Sequence, residues 1–190
     1  MFRKLYHIGG LLFPLLLALG LKRVAVYVSG ILFIIILIFD MFRLQWKELN
    51  LLIIRKLPIK LKRKEVKSLT GSPFFLGGCF LTVLFFRPEY AMAGIIYLSI
   101  GDMLAVTVGR RIGRVRIFKK TLEGTLAFAI STSIFIILLK TAGIRYISTL
   151  SYFQIITGSV VCAVVEVLPI KIDDNLTIPI VGAALLQFLG

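Results

Sequence analysis

The sequence is poor in the residues on which several common catalytic sites depend. It has one histidine, two cysteines and nine acidic residues. His7 alone cannot form a His-Glu-x-x-His zinc site, no glycine is followed by lysine as a Walker A loop requires, and no Gly-x-Ser-x-Gly element is present. Cys79 and Cys162 lie in apolar runs, which predicts small buried side chains rather than a disulfide or a metal site.

Charged residues are also scarce, and most of them carry one sign. Only 17% of the 190 residues are charged, whereas 58% are hydrophobic and the mean hydropathy is +0.97. Soluble domains are about 25% charged, so a soluble enzyme, a disordered tail and a disulfide-rich secreted module are excluded. The net charge of +14 does not require a nucleic-acid partner if the cations lie outside a bilayer. We therefore expect one integral-membrane domain, residues 1–190.

Long apolar runs predict an all-α, polytopic transmembrane helical bundle. A spanning helix needs about 20 mostly apolar residues, and an unbroken run such as Ile34–Phe39 does not alternate as a barrel strand does. The run after Arg3 and Lys4 has no small-residue cleavage pattern, so we expect a retained helix rather than a signal peptide. Seven spans are predicted: 7–21, 24–39, 69–86, 88–109, 124–139, 149–168 and 176–190.

The distribution of basic residues predicts the orientation of this bundle. Segment 40–68 holds nine Lys or Arg residues and segment 110–123 holds six, and two predicted spans separate them. With this assignment eighteen of the 23 basic residues share one side, which the positive-inside rule makes the cytoplasm, with the N-terminus on that side. We interpret 40–68 as a basic amphipathic segment with Trp46 at headgroup depth, or alternatively as a charged linker, and 110–123 as a basic cytoplasmic loop.

The acidic residues divide into two groups. Capping or surface pairing explains the four that lie at predicted helix ends or in the basic segment: Asp40, Glu48, Glu65 and Glu89. The other five map to the cytoplasmic half: Asp102, Glu123, Glu166, Asp173 and Asp174. An ionisable group inside a span is costly and points to function. Asp102 is the clearest case, because it shares a helix face with Ala105 and Gly109; the alternative is a structural carboxylate paired with an arginine.

Two neighbouring patterns predict a site for a phosphorylated ligand. Six cations with interspersed glycines in 109–124 suit a polyphosphate, although the positive-inside signal alone could explain them. Glu166 and the run Asp173-Asp174-Asn175 lie at closely spaced helix ends and form an oxygen-rich set that suits Mg²⁺. Helix N-capping is the alternative for Asp174 or Asn175, but it does not account for Glu166.

Five motifs in order carry a resemblance to a known family: Arg3-Lys4-Leu5-Tyr6-His7, Ser68-Leu69-Thr70-Gly71, Gly101-Asp102 to Gly109, Lys120-Thr121-Leu122-Glu123-Gly124, and Glu166 to Pro179. Together they resemble the CTP-dependent lipid kinases, which include dolichol (polyprenol), phytol and diacylglycerol kinases. The resemblance implies transfer of the γ-phosphate of CTP to a lipid alcohol. Dolichol kinases usually carry additional N-terminal spans, so the resemblance does not identify the lipid substrate.

The resemblance also implies a set of site residues. Asp102, Glu166 and Asp174 would be catalytic and would hold Mg²⁺. The nucleotide and its phosphates would be bound by Arg3, Lys4, Gly109, Arg110, Lys119, Lys120, Thr121, Glu123, Gly124 and Asn175. His7 is a possible base or a structural residue at the interface. The active site is expected at the cytoplasmic face, where CTP arrives from solution and the alcohol from the bilayer.

Two other functions fit part of the pattern. A phosphatidate cytidylyltransferase shares the Gly-Asp and Lys-Thr-x-Glu-Gly elements, but its C-terminal Asp-Arg-x-Asp element is absent here. A small cation transporter would use the buried acids as ion ligands. Transporter sites usually lie near the membrane midplane between repeats, whereas these acids map to one face, so the kinase is the favoured prediction.

Overall fold

The computed structural model describes residues 9–46, 48, 50, 52 and 63–190, and helices dominate them. The helices are α1 (Leu12–Ala18), α2 (Lys22–Gln45), α3 (Gly71–Phe85), α4 (Pro88–Ile96), α5 (Met103–Ile112), α6 (Leu122–Thr141), α7 (Tyr152–Val167) and α8 (Asp174–Leu189). A π-helical segment, Tyr97–Asp102, joins α4 to α5, and 3-10 turns lie at Arg63–Val66 and Ile147–Thr149. The all-α expectation is confirmed apart from one small hairpin, β1 (Arg116–Ile117) with β2 (Lys120–Thr121).

Every predicted apolar segment contains a helix, but the helices differ in their capacity to span a bilayer. Lys22–Gln45, Pro88–Ile112 and Leu122–Thr141 are long and apolar enough by length and composition. Gly71–Phe85, Tyr152–Val167 and Asp174–Leu189 are apolar but shorter, and α1 has 7 residues. The chain is therefore a helical membrane protein, while the count of seven spans and the cytoplasmic N-terminus remain predictions.

Helix α8 lies at the centre of the bundle, where it packs against α3, α4 and α7. Small residues allow the close approach of α8 to α4: a Cβ placed on Gly182 would lie 3.5 Å from the Cα of Gly94. Ile178, Ala183 and Leu186 of α8 are fully buried in the core. Because the body of α8 is held from several sides, its first turn, which begins at Asp174, has a defined position.

The long helical segment Pro88–Ile112 is interrupted in its middle. Pro88 begins α4, where a missing N–H costs nothing. The π-helical turn that follows inserts one extra residue relative to α-helical pitch, and such turns are frequent at functional sites. Asp102 ends this turn and is buried, with 8% of its surface exposed. The carboxylate predicted from its position in an apolar run is thus located at a change of helical geometry.

The basic segment 110–123 contains a helix end and a hairpin rather than a simple loop, and its cytoplasmic location remains a prediction. Its first residues continue α5 to Ile112, and the next form the β1–β2 hairpin, in which Arg116 pairs with Thr121 and Ile117 with Lys120. Phe118 begins the two-residue turn with a φ of +54°. Two-residue hairpin turns require a positive φ at this position, for which Gly, Asn or Asp is usual. The turn was not foreseen because Phe118 gives no such signal.

An ion pair within helix α2, which also binds the segment before α3, departs from expectation. Asp40 and Arg43 are 3% and 1% exposed, so surface pairing is wrong for Asp40. The Arg43 Nε donates to Asp40 Oδ1 at 2.6 Å, its Nη1 donates to Asn50 Oδ1, and its Nη2 donates to the carbonyls of Glu65 and Ser68. Asp40 Oδ2 accepts from the Thr70 backbone N–H at 2.6 Å. We call this set of side chains and carbonyls the Arg43 cluster.

The amphipathic character predicted for 40–68 falls largely on residues outside the described ranges. Trp46 is described; it is 63% exposed and packs edge-on against Phe42 with ring centroids 5.9 Å apart. The depth of Trp46 in a membrane remains a prediction.

Candidate functional site

Three charged side chains from distant parts of the chain meet at one point. Lys120 Nζ donates to Glu166 Oε1 at 2.5 Å and to Asp174 Oδ2 at 2.7 Å. Lys120 and Asp174 are partly accessible, with 28% and 31% of their side-chain surface exposed, whereas Glu166 is 1% exposed. We call these three residues the Lys120 cluster.

The charge state of Lys120 follows from this environment. Burial acts to lower the pKa of Lys120, but the negative charges and hydrogen bonds of Glu166 and Asp174 outweigh it and raise the pKa above its usual value. Lys120 is therefore a cation at neutral pH.

Local structure explains how each member of the Lys120 cluster reaches the others. Lys120 lies in β2, immediately before the Thr121 side chain that caps α6 by accepting from the Gly124 N–H at 3.2 Å. Glu166 lies in the last turn of α7, and Asp174 begins α8. The N-cap of α8 is Asp173, whose Oδ1 accepts from the Asn175 N–H at 3.2 Å. The capping alternative for Asp174 or Asn175 is therefore wrong, and Asp174 is available to Lys120.

A polar cavity of about 610 Å³ opens beside the Lys120 cluster. Asp102, Ala105 and Gly109 all line it, so the predicted shared face of these three residues is confirmed. Its charged lining consists of four cations and three carboxylates: Arg110, Arg116, Lys119, Lys120, Asp102, Glu166 and Asp174. Gly113, Thr121, Gly124 and Thr125 complete the polar part of the wall. We call this space the polar cavity.

Close packing of α5 against α6 forms the floor of the polar cavity. A Cβ on Gly109 would lie 2.6 Å from Thr121 Oγ1, and a Cβ on Gly124 would lie 2.8 Å from the carbonyl oxygen of Ala105. Any side chain at either position would push the two helices apart or fill the cavity. The two glycines thus keep the crossing tight and leave space above it.

A second cavity of about 700 Å³ shares part of this lining but has a different chemical character. Asp102, Lys119, Lys120, Glu166 and Asp174 line both cavities. The rest of the second wall is mainly apolar: Leu69, Phe74, Phe118, Val167, Leu168, Pro169, Ile170 and Ile172. Sequence reasoning missed this cavity because its apolar residues come from three separated segments and no pattern links them. We call it the apolar cavity.

Some residues predicted for nucleotide binding lie elsewhere. Glu123 lines neither cavity; its Oε1 accepts from the N–H groups of Arg114 and Val115 at 2.8 and 3.2 Å and so holds the hairpin against α6. Asn175 lines the apolar cavity and donates through Nδ2 to Asp173 Oδ1 and to the Gly71 carbonyl. Arg3, Lys4 and His7 lie outside the described residues.

The carboxylates of the two cavities can be compared with the ligands that a metal ion requires. Within the described ranges, no group of three His, Cys, Asp or Glu side chains surrounds a common point. Mg²⁺ often uses only one or two carboxylates together with substrate phosphates and water. Glu166 Oε2 is buried and has no hydrogen-bond partner among the described residues. A carboxylate oxygen is the kind of ligand atom that Mg²⁺ prefers. The residues present therefore fit an ion that is completed by a phosphorylated ligand.

Comparisons with known proteins identify relatives over about half to most of the chain. The chain is 30% identical over 186 residues to an uncharacterized protein of Rickettsia prowazekii, covering 94% of this chain and 88% of that protein. It is 30% identical over 98 residues to CTP-dependent diacylglycerol kinase 1 of Saccharomyces cerevisiae, covering 50% of this chain and 34% of that kinase. It is 40% identical over 92 residues to the dolichol kinase of the same yeast, covering 45% of this chain and 17% of that kinase.

These comparisons establish a family but cover the named kinases only in part. The chain matches about a third or less of the length of the two yeast kinases. No protein-family model matches the chain, and no solved structure matches it. The chain belongs to the same family as the Rickettsia protein, and its similarity to the two yeast kinases over about half of its length supports a relationship of this chain to the CTP-dependent lipid kinases.

Proposed function

We propose that the protein is a lipid-alcohol kinase that uses CTP and Mg²⁺ at the cytoplasmic face of a membrane. The observation that carries this proposal is the Lys120 cluster, in which a buried carboxylate, an accessible carboxylate and a lysine meet at the wall of a cation-lined cavity. The names of the yeast relatives, diacylglycerol kinase and dolichol kinase, agree with this chemistry.

The polar cavity is the proposed site of the triphosphate. Its four cations neutralise charge that phosphoryl transfer would otherwise concentrate on the reacting group. Arg110 and Arg116 are exposed at the rim, where a guanidinium can donate two parallel hydrogen bonds to a phosphate. Lys120 lies deeper and supplies a localised positive charge. Asp102 and Asp174 face the same space and are the proposed Mg²⁺ ligands together with Glu166.

The proposed reaction requires positioning more than covalent chemistry by the protein. Asp102, Asp174 and Glu166 would hold Mg²⁺, whose positive charge would neutralise part of the charge of the phosphates. A bond forms between the lipid hydroxyl oxygen and the γ-phosphorus, the bond from that phosphorus to the bridging oxygen breaks, and CDP leaves. The hydroxyl proton passes to a carboxylate of the site. Lys120 holds Glu166 and Asp174 in fixed positions before substrate binds, which lowers the cost of organising the site.

An isotope experiment tests this function and separates it from the alternatives. Purified protein with Mg²⁺ and a panel of lipid alcohols and phosphatidate is incubated with CTP labelled at either the α- or the γ-phosphate. We expect lipid labelled only from the γ-position. Label from the α-position would indicate cytidylyl transfer, and no transfer from CTP or ATP would refute the kinase and favour a transporter.

The Asp102→Asn variant is the matched test of the site. We expect it to lose turnover while it retains the melting temperature of the wild type. Glu89→Gln is the control, because Glu89 is also a buried carboxylate of the segment Pro88–Ile112 but lines neither cavity and pairs with Arg87 at 2.8 Å. A fully active Asp102→Asn protein would contradict the assignment.

A further inference from the structure

We propose that the apolar cavity is the acceptor site, which receives the head and first carbons of the lipid alcohol, and that Phe118 and Ile172 form its mouth. This inference rests on the proposed kinase function and assigns the second substrate to a separate place. The argument uses the overlap of the two cavities, the chemistry of their unshared walls and the exposure of the residues at the mouth.

The two cavities meet at the Lys120 cluster. Five charged residues line both of them, so a phosphate in the polar cavity and a hydroxyl in the apolar cavity would face the same side chains. Glu166 Oε2 is buried and has no hydrogen-bond partner among the described residues. A hydroxyl group that reached this oxygen would donate a hydrogen bond to it and stand next to the lysine that we assign to the phosphates.

The unshared walls distinguish the two occupants. The polar cavity adds arginines, threonines and glycines, whereas the apolar cavity adds eight hydrocarbon side chains, among them Leu69, Phe74 and Val167, together with Ser68, Lys171, Asp173 and Asn175. A second nucleotide would find one further cation there, Lys171, beside the carboxylate of Asp173, and most of its polar groups would lie against hydrocarbon side chains, which is unfavourable. A molecule with one polar head and a hydrocarbon tail satisfies both parts of the wall.

The mouth of the apolar cavity is formed by segments outside the helices. Phe118 lies at the hairpin turn and is 63% exposed, and Ile172 lies between α7 and α8 and is 54% exposed. Leu168 and Ile170, which precede Ile172, are also exposed and line the same cavity. Exposed apolar side chains that continue into a cavity are suited to a hydrocarbon chain that arrives from the bilayer.

The Phe118→Gly variant tests the acceptor site without disturbing the hairpin. Glycine adopts the positive φ of +54° more readily than phenylalanine, so the turn is retained while the side chain is lost. We expect the KM for the lipid alcohol to rise about tenfold, which corresponds to the loss of one apolar side-chain contact. We expect the KM for CTP to change by less than about twofold. Val115→Ala is the control, because Val115 is 52% exposed in the same region but lines neither cavity.

Cross-linking supplies a readout that does not depend on turnover. A photoactivatable derivative of geranylgeraniol or dioleoylglycerol is added to the wild type in detergent, with or without excess unlabelled alcohol. Competed cross-links in 167–172 and at Phe118 would support the acceptor site. Cross-links confined to outer helix positions such as Leu138, which is 59% exposed, would overturn it.

The outcomes separate the two proposals. A wild-type protein that transfers no phosphate to any alcohol would refute the kinase function. An active wild type whose acceptor KM is the same in Phe118→Gly would refute the acceptor site alone.

Discussion

The Arg43 cluster, which is buried, and the Lys120 cluster, which is partly exposed, are ionic groups at the same end of the bundle, but they differ in how completely their polar atoms are paired. In the Arg43 cluster, Nε, Nη1 and Nη2 of the arginine all donate, and both oxygens of Asp40 accept. In the Lys120 cluster, Glu166 Oε2 has no hydrogen-bond partner among the described residues, and Lys120 is 28% exposed. The first is closed, and the second has capacity for a ligand.

The difference indicates distinct roles for similar chemistry. A buried ion pair with every group satisfied fixes one arrangement of the chain. Here it holds the backbone before α3 against α2, and Asn175 joins the start of α3 to the start of α8 through a 3.4 Å hydrogen bond to the Gly71 carbonyl. The Arg43 cluster thereby supports the helix end that presents Asp174, while the Lys120 cluster contacts the cavities.

The largest effect on stability is expected when the ion pair of the Arg43 cluster is removed. Arg43→Met leaves Asp40 buried without its partner, which costs about 3–5 kcal/mol of unfolding free energy. Thermal unfolding in detergent should show a large decrease in melting temperature. Arg87→Met is the comparison, because its pair with Glu89 has one buried partner and an arginine that is 68% exposed; water reaches this pair, so we expect a smaller loss than for Arg43→Met. Equal losses in the two variants would contradict the distinction between closed and exposed pairs.

In the Lys120 cluster, we expect a smaller free-energy change, and we expect it in turnover rather than in stability. Glu166→Gln retains the shape of the side chain but removes one of the three negative charges that line both cavities, so we expect turnover to fall about 100-fold. The melting temperature should change little, because Lys120 keeps its hydrogen bond to Asp174 at 2.7 Å. Single-turnover transfer from γ-labelled CTP and thermal unfolding measure the two quantities. A variant that unfolds but remains active per folded molecule would place Glu166 with the structural residues.

The floor of the polar cavity is expected to be less sensitive than the Lys120 cluster. Gly109→Ala places a methyl group 2.6 Å from Thr121 Oγ1, so the α5–α6 crossing must shift. We expect the KM for CTP to rise about tenfold, while the KM for the alcohol stays constant. The Thr121→Ala variant lacks the clashing hydroxyl. In that background, Gly109→Ala should raise the KM for CTP by a smaller factor than it does in the wild type. An increase in the alcohol KM instead would place the nucleotide in the other cavity.

The smallest effect is expected in the pH dependence of the stability that Lys120 contributes. Because the pKa of Lys120 is raised in the folded protein, the stability that its charge contributes is fully present below the unfolded value of about 10.4 and is lost only as pH rises through the folded value. The difference in melting temperature between wild type and Lys120→Met should therefore stay constant from about pH 7 to about pH 9. A difference that already declines in this window would show that the lysine is not held as a cation.

Sequence reasoning succeeded where a residue was exceptional in its surroundings. Asp102 and Glu166 stand out because they are isolated acids in apolar runs, and the structure places both at the same cavities. Asp40 and Arg43 were misjudged because a charged residue near a helix end is usually exposed, and only the folded path of Asn50 and 63–70 encloses them. The position of Glu123 depends on a hairpin whose turn residue, Phe118, carries no turn signal.

The π-helical turn at Tyr97–Asp102 divides one continuous helical segment into a part that packs in the core and a part that lines a cavity. On its N-terminal side, Ala91, Ala93 and Ile95 are fully buried in the core, whereas beyond it α5 places Ala105 and Gly109 in the wall of the polar cavity. An α-helix advances about 100° per residue. Deletion of one residue from this turn would therefore rotate Asp102 and the whole of α5 by roughly that angle while α4 stayed in place. The phase of the helix, and not only the presence of the aspartate, determines whether the carboxylate faces the cavities.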